Sequence, residues 1–130
     1  MRRFLAATLS PLILSACASA SDHRSDLVDS SWTFTAIDGD APVSEKARLT
    51  FEGDRIGANV GCNGMGGPWR LEGGRLIAGP LVQTQMYCEG PVWDQEKAVG
   101  ALLAAAPKFG VNGDVMTIES GGHSAELRRE

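Results

Sequence analysis

Short runs in which apolar and polar residues alternate dominate the chain from Trp32 onward. The first run, residues 32–37, alternates for four positions, which is typical of a β-strand with one buried face. The runs that follow are mostly separated by Gly, Pro, Asn or Asp, the residues that favour turns. The predicted strands are 32–37, 48–51, 56–60, 69–71, 75–78, 108–111, 115–119 and 123–127, with a further extended piece at 81–86. About eight short strands with glycine-rich turns predict an antiparallel sandwich or a small barrel-like sheet.

The period of the apolar positions changes between Pro91 and Pro107. The apolar residues there are spaced close to the period of an α-helix: Val92, Val99, Leu102, Leu103 and Ala106. Proline fits the first turn of a helix and does not continue one, so the two prolines bracket the element. The predicted fold class is therefore mainly β (α+β) with one helix, which would plug or cover one opening of the sheet.

Glycine is unusually dense in residues 57–69. Such a stretch is poor for any regular element and suits backbone that turns sharply or adopts positive φ. We therefore predict that the third strand runs into a tight corner at Gly61-Cys62-Asn63-Gly64. The parity of that strand places Cys62 on the same face as the apolar residues before it.

The first 16 residues are typical of an export signal, with Arg2 and Arg3 preceding an apolar run too short to span a bilayer. The segment ends in Leu14-Ser15-Ala16-Cys17, which resembles a bacterial lipobox, so Cys17 is the predicted lipidation site. An ordinary secretory signal with a chance cysteine is the alternative. Residues 17–30 are then the lipidated Cys and a flexible tether, and residues 31–130 the domain. By resemblance to Gram-negative sorting rules, Ala18 favours the outer membrane.

The length and charge of the chain limit the classes of function. A chain of 130 residues suits one domain, and its net charge is −4. Of the 12 basic residues, loss of Arg2 and Arg3 with the leader leaves 10 against 16 acidic residues, a net charge of −6. An acidic domain lacks the basic footprint that binds nucleic acid and would not dock on anionic lipid by charge. The predicted contact with the membrane is therefore the lipid anchor alone.

Two short motifs carry a resemblance to a known family. They are Gly61-Cys62-Asn63 and Thr84-Gln85-Met86-Tyr87-Cys88, and they occur in order between Trp32 and a helix that contains Glu96. Over residues 31–130 the chain resembles the META domain family, which includes the HslJ-like heat-shock lipoproteins. The resemblance implies a small, mainly antiparallel, barrel-like β fold with one helix, and the residues that match the motif are Gly61, Cys62, Asn63, Thr84, Met86 and Cys88. Tyr87 departs from the Ala that is common before the second Cys.

Cys62 and Cys88 remain as an even pair once Cys17 is lipidated. In an oxidising compartment a disulfide is the simplest interpretation. Two buried free cysteines that act as small hydrophobic residues are an alternative. A third possibility is a copper(I)-type site in which Met65 and Met86 join the two thiolates. The sequence leaves these three open, and we predict no resident metal or cofactor.

The remaining candidates have structural explanations of their own. Three acidic residues lie near the start of the helix and could do acid–base chemistry, but the helix dipole accounts for them: Glu89, Asp94 and Glu96. Trp69 and Trp93 could form the base of a ligand-binding surface or pack in the core. Because no nucleophile, base and oxyanion set can be assembled, no catalytic residue is predicted.

Two functions follow as expectations. The resemblance implies a non-enzymatic lipoprotein of the bacterial cell envelope with a binding or structural role in stress or drug tolerance. It would be lipid-anchored at the outer membrane, face the periplasm and contact an unknown protein or cell-envelope ligand. The second interpretation is an inhibitor module, similar to the small periplasmic lipoproteins that block lysozymes. In that case the corner at residues 62–68 would be the loop that enters the enzyme.

Overall fold

The structure, a computed structural model, describes residues 23–130. The predicted signal at residues 1–16 and the lipidation site Cys17 lie outside the described residues. Strands are β1 Ser30–Ile37, β2 Arg48–Glu52, β3 Arg55–Asn59, β4 Gly64–Glu72, β5 Arg75–Ala78, β6 Val82–Gln83, β7 Lys108–Asn112, β8 Val115–Ser120 and β9 His123–Arg129. Helices are α1 Arg24–Leu27 and α2 Pro91–Ala104. In this part of the chain, no helix has the length and apolar character needed to cross a membrane.

The sheet is an antiparallel barrel. Its order is β3-β2-β1-β9-β8-β7-β5-β4, and pairing of β3 with β4 closes the circle of eight strands. Strand β6 lies outside this circle, and β4 is its strand partner. The predicted fold class, a small antiparallel barrel-like sheet with one main helix, is confirmed.

The alternation along each strand places large apolar side chains inside the barrel. Trp32 and Phe34 of β1 are buried, as are Met116 and Ile118 of β8. Helix α2 packs against β1, β5, β8 and β9 and buries Val99, Leu102 and Leu103. The predicted helix is present, but it ends at Ala104 because Ala106 has a φ of 49° and leaves the helical conformation before Pro107.

The domain begins before the predicted boundary at residue 31. Leu27 is fully buried, and Trp69 lies beneath the guanidinium of Arg24 at 4.5 Å. Nη2 of Arg129 donates to the Asp26 carbonyl at 2.9 Å. Residues 23–30, which the sequence assigned to the flexible tether, therefore pack on the domain. A single turn of helix is too short to produce the apolar periodicity by which a packed element is recognised.

Strand β4 contradicts the prediction that the glycine-dense stretch forms no regular element. Residues 64–68 pair with β3 along one edge, and Met65 and Gly66 pair with β6 along the other. A Cβ on Gly66 would lie 3.2 Å from the carbonyl oxygen of Ile56, and one on Gly67 would collide with that of Pro80. Glycine is required here because neighbouring backbones approach closely, not because the chain turns. The predicted corner is confined to residues 61–63, where Gly61 has a φ of +125°.

Candidate functional site

A disulfide joins Cys62, in the corner after β3, to Cys88, just before α2. The Cα atoms are 6.2 Å apart, within the range of about 4.4–6.8 Å for such bonds. Of the three possibilities left open by the sequence, the structure contains the bonded pair. Bonded sulfurs supply no thiolate, so the soft-metal set with Met65 and Met86 is not assembled in this state. Within residues 23–130, no three His, Cys, Asp or Glu side chains form a group that could hold a metal ion.

Asn63 and Glu96 form a polar pair that is almost completely buried. Asn63 is 1% exposed and Glu96 is 2% exposed. Oε1 of Glu96 accepts the backbone N–H of Asn63 at 2.5 Å, and Oε2 accepts the side-chain Nδ2 at 3.0 Å. A buried carboxylate is stable only with such partners. The helix-dipole explanation is therefore wrong for Glu96, whose carboxylate is used to hold the corner.

The other two acidic candidates lie apart from this pair. Asp94 is exposed and forms an ion pair with Lys97 at 3.4 Å, and Glu89 is exposed. The three carboxylates thus do not converge on one acid–base site.

The Asn63 amide also holds the segment that follows β6. Its Oδ1 accepts the hydroxyl of Thr84 at 3.0 Å and the backbone N–H of Met86 at 2.6 Å. The same threonine hydroxyl accepts the N–H of Gly64 at 3.1 Å. The residues of the two motifs, distant in sequence, are therefore one hydrogen-bonded unit, closed by the disulfide.

This unit presents residues 83–87 to solvent, and we call them the 83–87 segment. Met86 is 57% exposed and Tyr87 is 78% exposed. The Tyr87 ring faces the half-buried Trp93 of α2, with 5.8 Å between ring centroids. A cleft of about 450 Å³ lies between the segment, Asn63 and Trp93.

The two candidate tryptophans have different roles. Trp93 is half-buried and lines the cleft. Trp69 is 4% exposed, packs on Phe51 with 4.8 Å between ring centroids, and donates its indole N–H to the Gly53 carbonyl. Trp69 is therefore part of the core and not of the cleft.

A second cleft, of about 790 Å³, contains a pair that the sequence analysis missed. Nδ1 of His123 lies 2.8 Å from Oδ2 of Asp38, and Oδ1 of Asp38 accepts the backbone N–H of Ser124 at 2.9 Å. Asp38 N–H in turn donates to the Ser124 carbonyl at 2.8 Å. The pair joins the end of β1 to the start of β9. Asp38 stands in a turn and His123 opens a strand 85 residues later, so only pairing of these strands brings them together.

The electrostatics of Asp38 reflect these contacts. Partial burial by itself raises the pKa of the Asp38 carboxyl. The hydrogen bonds from His123 and from the Ser124 N–H, with the charge of His123, outweigh burial, so the pKa lies below its ordinary value. The ionised form of Asp38 is the one that the fold stabilises.

Most of the chain, including the unit built around Asn63, matches the model of a known protein family. The family model of the META domain matches residues 25–130, which contain both motifs. The chain belongs to the META domain family. The match begins within α1, in agreement with the packing of Leu27 on the domain.

Two solved structures, both determined by NMR, share the fold. One is 18% identical, with a TM-score of 0.71, and the alignment covers 80% of this chain and 92% of that one. The other, from Burkholderia xenovorans, is 24% identical, with a TM-score of 0.66 and coverage of 83% and 86%. No curated protein matches the chain. At these identities the structural likeness extends to the fold alone.

Proposed function

We propose that this META-domain protein is a non-enzymatic lipoprotein of the bacterial cell envelope that binds an envelope component through the 83–87 segment. The proposal rests on the hydrogen bonds that the buried Asn63 amide makes to the 83–87 segment. These bonds hold a segment whose Met86 and Tyr87 side chains are exposed. Neighbouring large apolar side chains exposed to water are typical of a surface that contacts a partner.

The chemistry of the motif favours binding over catalysis. Both carboxylate oxygens of Glu96 accept hydrogen bonds from Asn63, and the side chain is buried away from solvent. Such a carboxylate lacks the access that a general acid or base requires. The Asp38–His123 pair has a structural use, since it extends the pairing of β1 with β9.

The location in this proposal rests on the sequence. Cys17 in its lipobox-like context would carry the lipid, anchoring the protein to the outer membrane with the domain in the periplasm. Two or three acyl chains give stable anchoring where one does not. The role in stress or drug tolerance is the expectation attached to the META family.

The inhibitor alternative loses the feature on which it depended. It required residues 62–68 to project as a loop into an enzyme. Cys62, Asn63 and Met65 are buried, and residues 64–68 belong to β4. A strand paired on both edges does not enter a cleft, and we do not propose this function.

Photo-crosslinking in cells tests the binding role. Benzoylphenylalanine in place of Tyr87 should give adducts that the same probe at Thr117, exposed on β8 outside the cleft, does not give. Adding Asn63→Ala should reduce the adducts, because the segment loses its hydrogen bonds. Equal adducts from both positions, or none from residue 87 in membrane-bound protein, would contradict the proposal.

A further inference from the structure

The cleft beside the 83–87 segment is walled by two aromatic rings. Tyr87 and Trp93 are inclined by 52° to one another, and both are accessible. Tyrosine and tryptophan combine a large apolar face with a polar tip, so they contact ligands that have both characters. The volume of about 450 Å³ lies in the usual range of small-ligand sites, about 300–1,000 Å³.

The polar groups around these rings are free to bond a ligand. Within residues 23–130, no hydrogen bond is found for the side-chain amides of Gln83 and Gln85, the Tyr87 hydroxyl or the Trp93 indole N–H. Asn63 and Thr84 also line the cleft, but their polar atoms are used internally. The free groups include donors and acceptors, as a hydroxyl-rich ligand requires.

The described residues that line the cleft carry no charge. They are amides, a threonine, a methionine and two aromatic residues, and the chain has no charged residue from 76 to 88. A phosphate or carboxylate ligand would find no counter-charge there. A wholly apolar ligand would cover the four free polar groups without satisfying them, which costs free energy.

We propose that this cleft binds a neutral saccharide. The C–H face of a sugar ring would stack on Tyr87 and Trp93, and its hydroxyls would bond the amides of Gln83 and Gln85. This inference rests on the proposed function, because it assigns a ligand class to the same surface. Strand addition to the free edge of β6 by a protein segment is the competing occupant, and it would use backbone groups of the edge instead of the cleft.

The test is a titration of the purified full-length chain with chitotetraose, a neutral, N-acetylated oligosaccharide. The Trp93 indole signal in a ¹H–¹⁵N spectrum should move. The indoles of Trp32 and Trp69 should not, because each already donates to a protein acceptor, Ser30 Oγ and the Gly53 carbonyl. An anionic galacturonate tetramer should bind more weakly, since none of residues 23–130 places a cationic side chain in the cleft lining. Failure of chitotetraose to move the Trp93 signal of folded protein would overturn the inference.

Variants on the segment locate the site. Tyr87→Ala should weaken the affinity about tenfold, the upper part of the range measured for aromatic contacts. Tyr87→Phe should retain the ring contact and lose less. Val82→Ala is the matched control, because Val82 is 76% exposed on β6 but does not line the cleft. Equal affinities for the Ala variants at 87 and 82 would overturn the assignment.

The two proposals fail in different ways. Adducts from residue 87 in cells without chitotetraose binding would support the binding role and overturn the saccharide inference, favouring a protein strand on β6. Chitotetraose binding without adducts would support the saccharide site and overturn the proposed role in cells.

Discussion

Asn63 contacts Met86 in both directions: its Nδ2 donates to the Met86 carbonyl at 2.9 Å, and its Oδ1 accepts the Met86 N–H at 2.6 Å. This is the exchange that a neighbouring backbone makes in an antiparallel pair. The side-chain amide thus replaces a strand neighbour just before β4 begins at Gly64. It continues the pairing of β6 past Gln83 and leaves the outer side of the 83–87 segment free.

Removal of this amide should destabilise the domain and loosen the segment. In Asn63→Ala, the buried Glu96 carboxylate and the Met86 backbone lose partners, at a cost of about 3 kcal/mol. Urea unfolding measures the loss, and hydrogen exchange should show faster exchange of the Met86 amide. Asn112→Ala is the control: Asn112 is exposed, so its change should stay within about 0.5 kcal/mol. Equal urea midpoints for the two variants would refute the account.

Reduction of the disulfide should lower stability and leave the fold recognisable. Cys62 and Cys88 are 26 residues apart, and a loop of this size gives about 3.5 kcal/mol by the chain-entropy estimate. The barrel core does not depend on the bond, so the β signal in circular dichroism should persist. Thiol titration of the denatured, unreduced, exported protein is the direct measurement. Two free thiols in that titration would show that the bond does not form in the cell.

Gly100→Ala should stabilise the protein by about 0.5–1 kcal/mol. Gly100 lies inside α2 with ordinary helical φ, and a Cβ there would meet no atom within 4 Å. Alanine therefore removes the entropic cost of glycine without a clash. Gly61→Ala is the opposing control, because its φ is +125° and its Cβ would lie 2.9 Å from Ser44 Cβ. Thermal melts compare the two, and a lower Tm for Gly100→Ala would show that the helix needs the glycine.

Asp38 should make stability depend on pH in the acid range. Its folded pKa lies below the unfolded value of 3.8, so its contribution is full above that value and is lost as the pH falls through the folded pKa. Asp38→Asn keeps a residue that tolerates the φ of 50° and removes the charge. The variant should be less stable by up to about 1 kcal/mol near pH 6, and the difference should shrink below about pH 4.

The matched control for Asp38 is Asp40→Asn, in the same turn and exposed. Urea midpoints measured from pH 6 down to pH 3 give the comparison. A difference for Asp38→Asn that stays constant across this range would show that the ionised carboxylate is not what the fold stabilises.

Cys17→Ala should release the domain from the membrane fraction or leave the precursor unprocessed. The expectation follows from Leu14-Ser15-Ala16-Cys17, since the acyl chains would be carried by that thiol and its freed amine. Ser15→Ala, which keeps a small residue in the motif, should fractionate as wild type. Intact-mass analysis of exported protein is decisive, and an unmodified Cys17 there would reject lipidation.

Local patterns in the sequence predict the main helix, the strands and most of the barrel's inner face. Alternation in residues 32–37 and helical spacing between Pro91 and Pro107 are local signals, and local backbone geometry follows from them. The two motifs also identified the family before any coordinate. A disulfide between Cys62 and Cys88 is the simplest interpretation of the sequence, because only two cysteines follow Cys17.

Which distant residues meet depends on the tertiary fold. Asn63 and Glu96 are 33 residues apart, and Asp38 and His123 are 85 apart, so no periodicity links them. The local density of glycine in β4 is typical of a turn. In the fold, however, these glycines allow the backbones of β3 and of Pro80 to approach β4 closely. Burial of Leu27 likewise depends on the barrel core against which it packs. Hydrogen bonds and packing contacts form between residues that are far apart in sequence and close in the fold. A local sequence pattern does not indicate which distant residues will be neighbours.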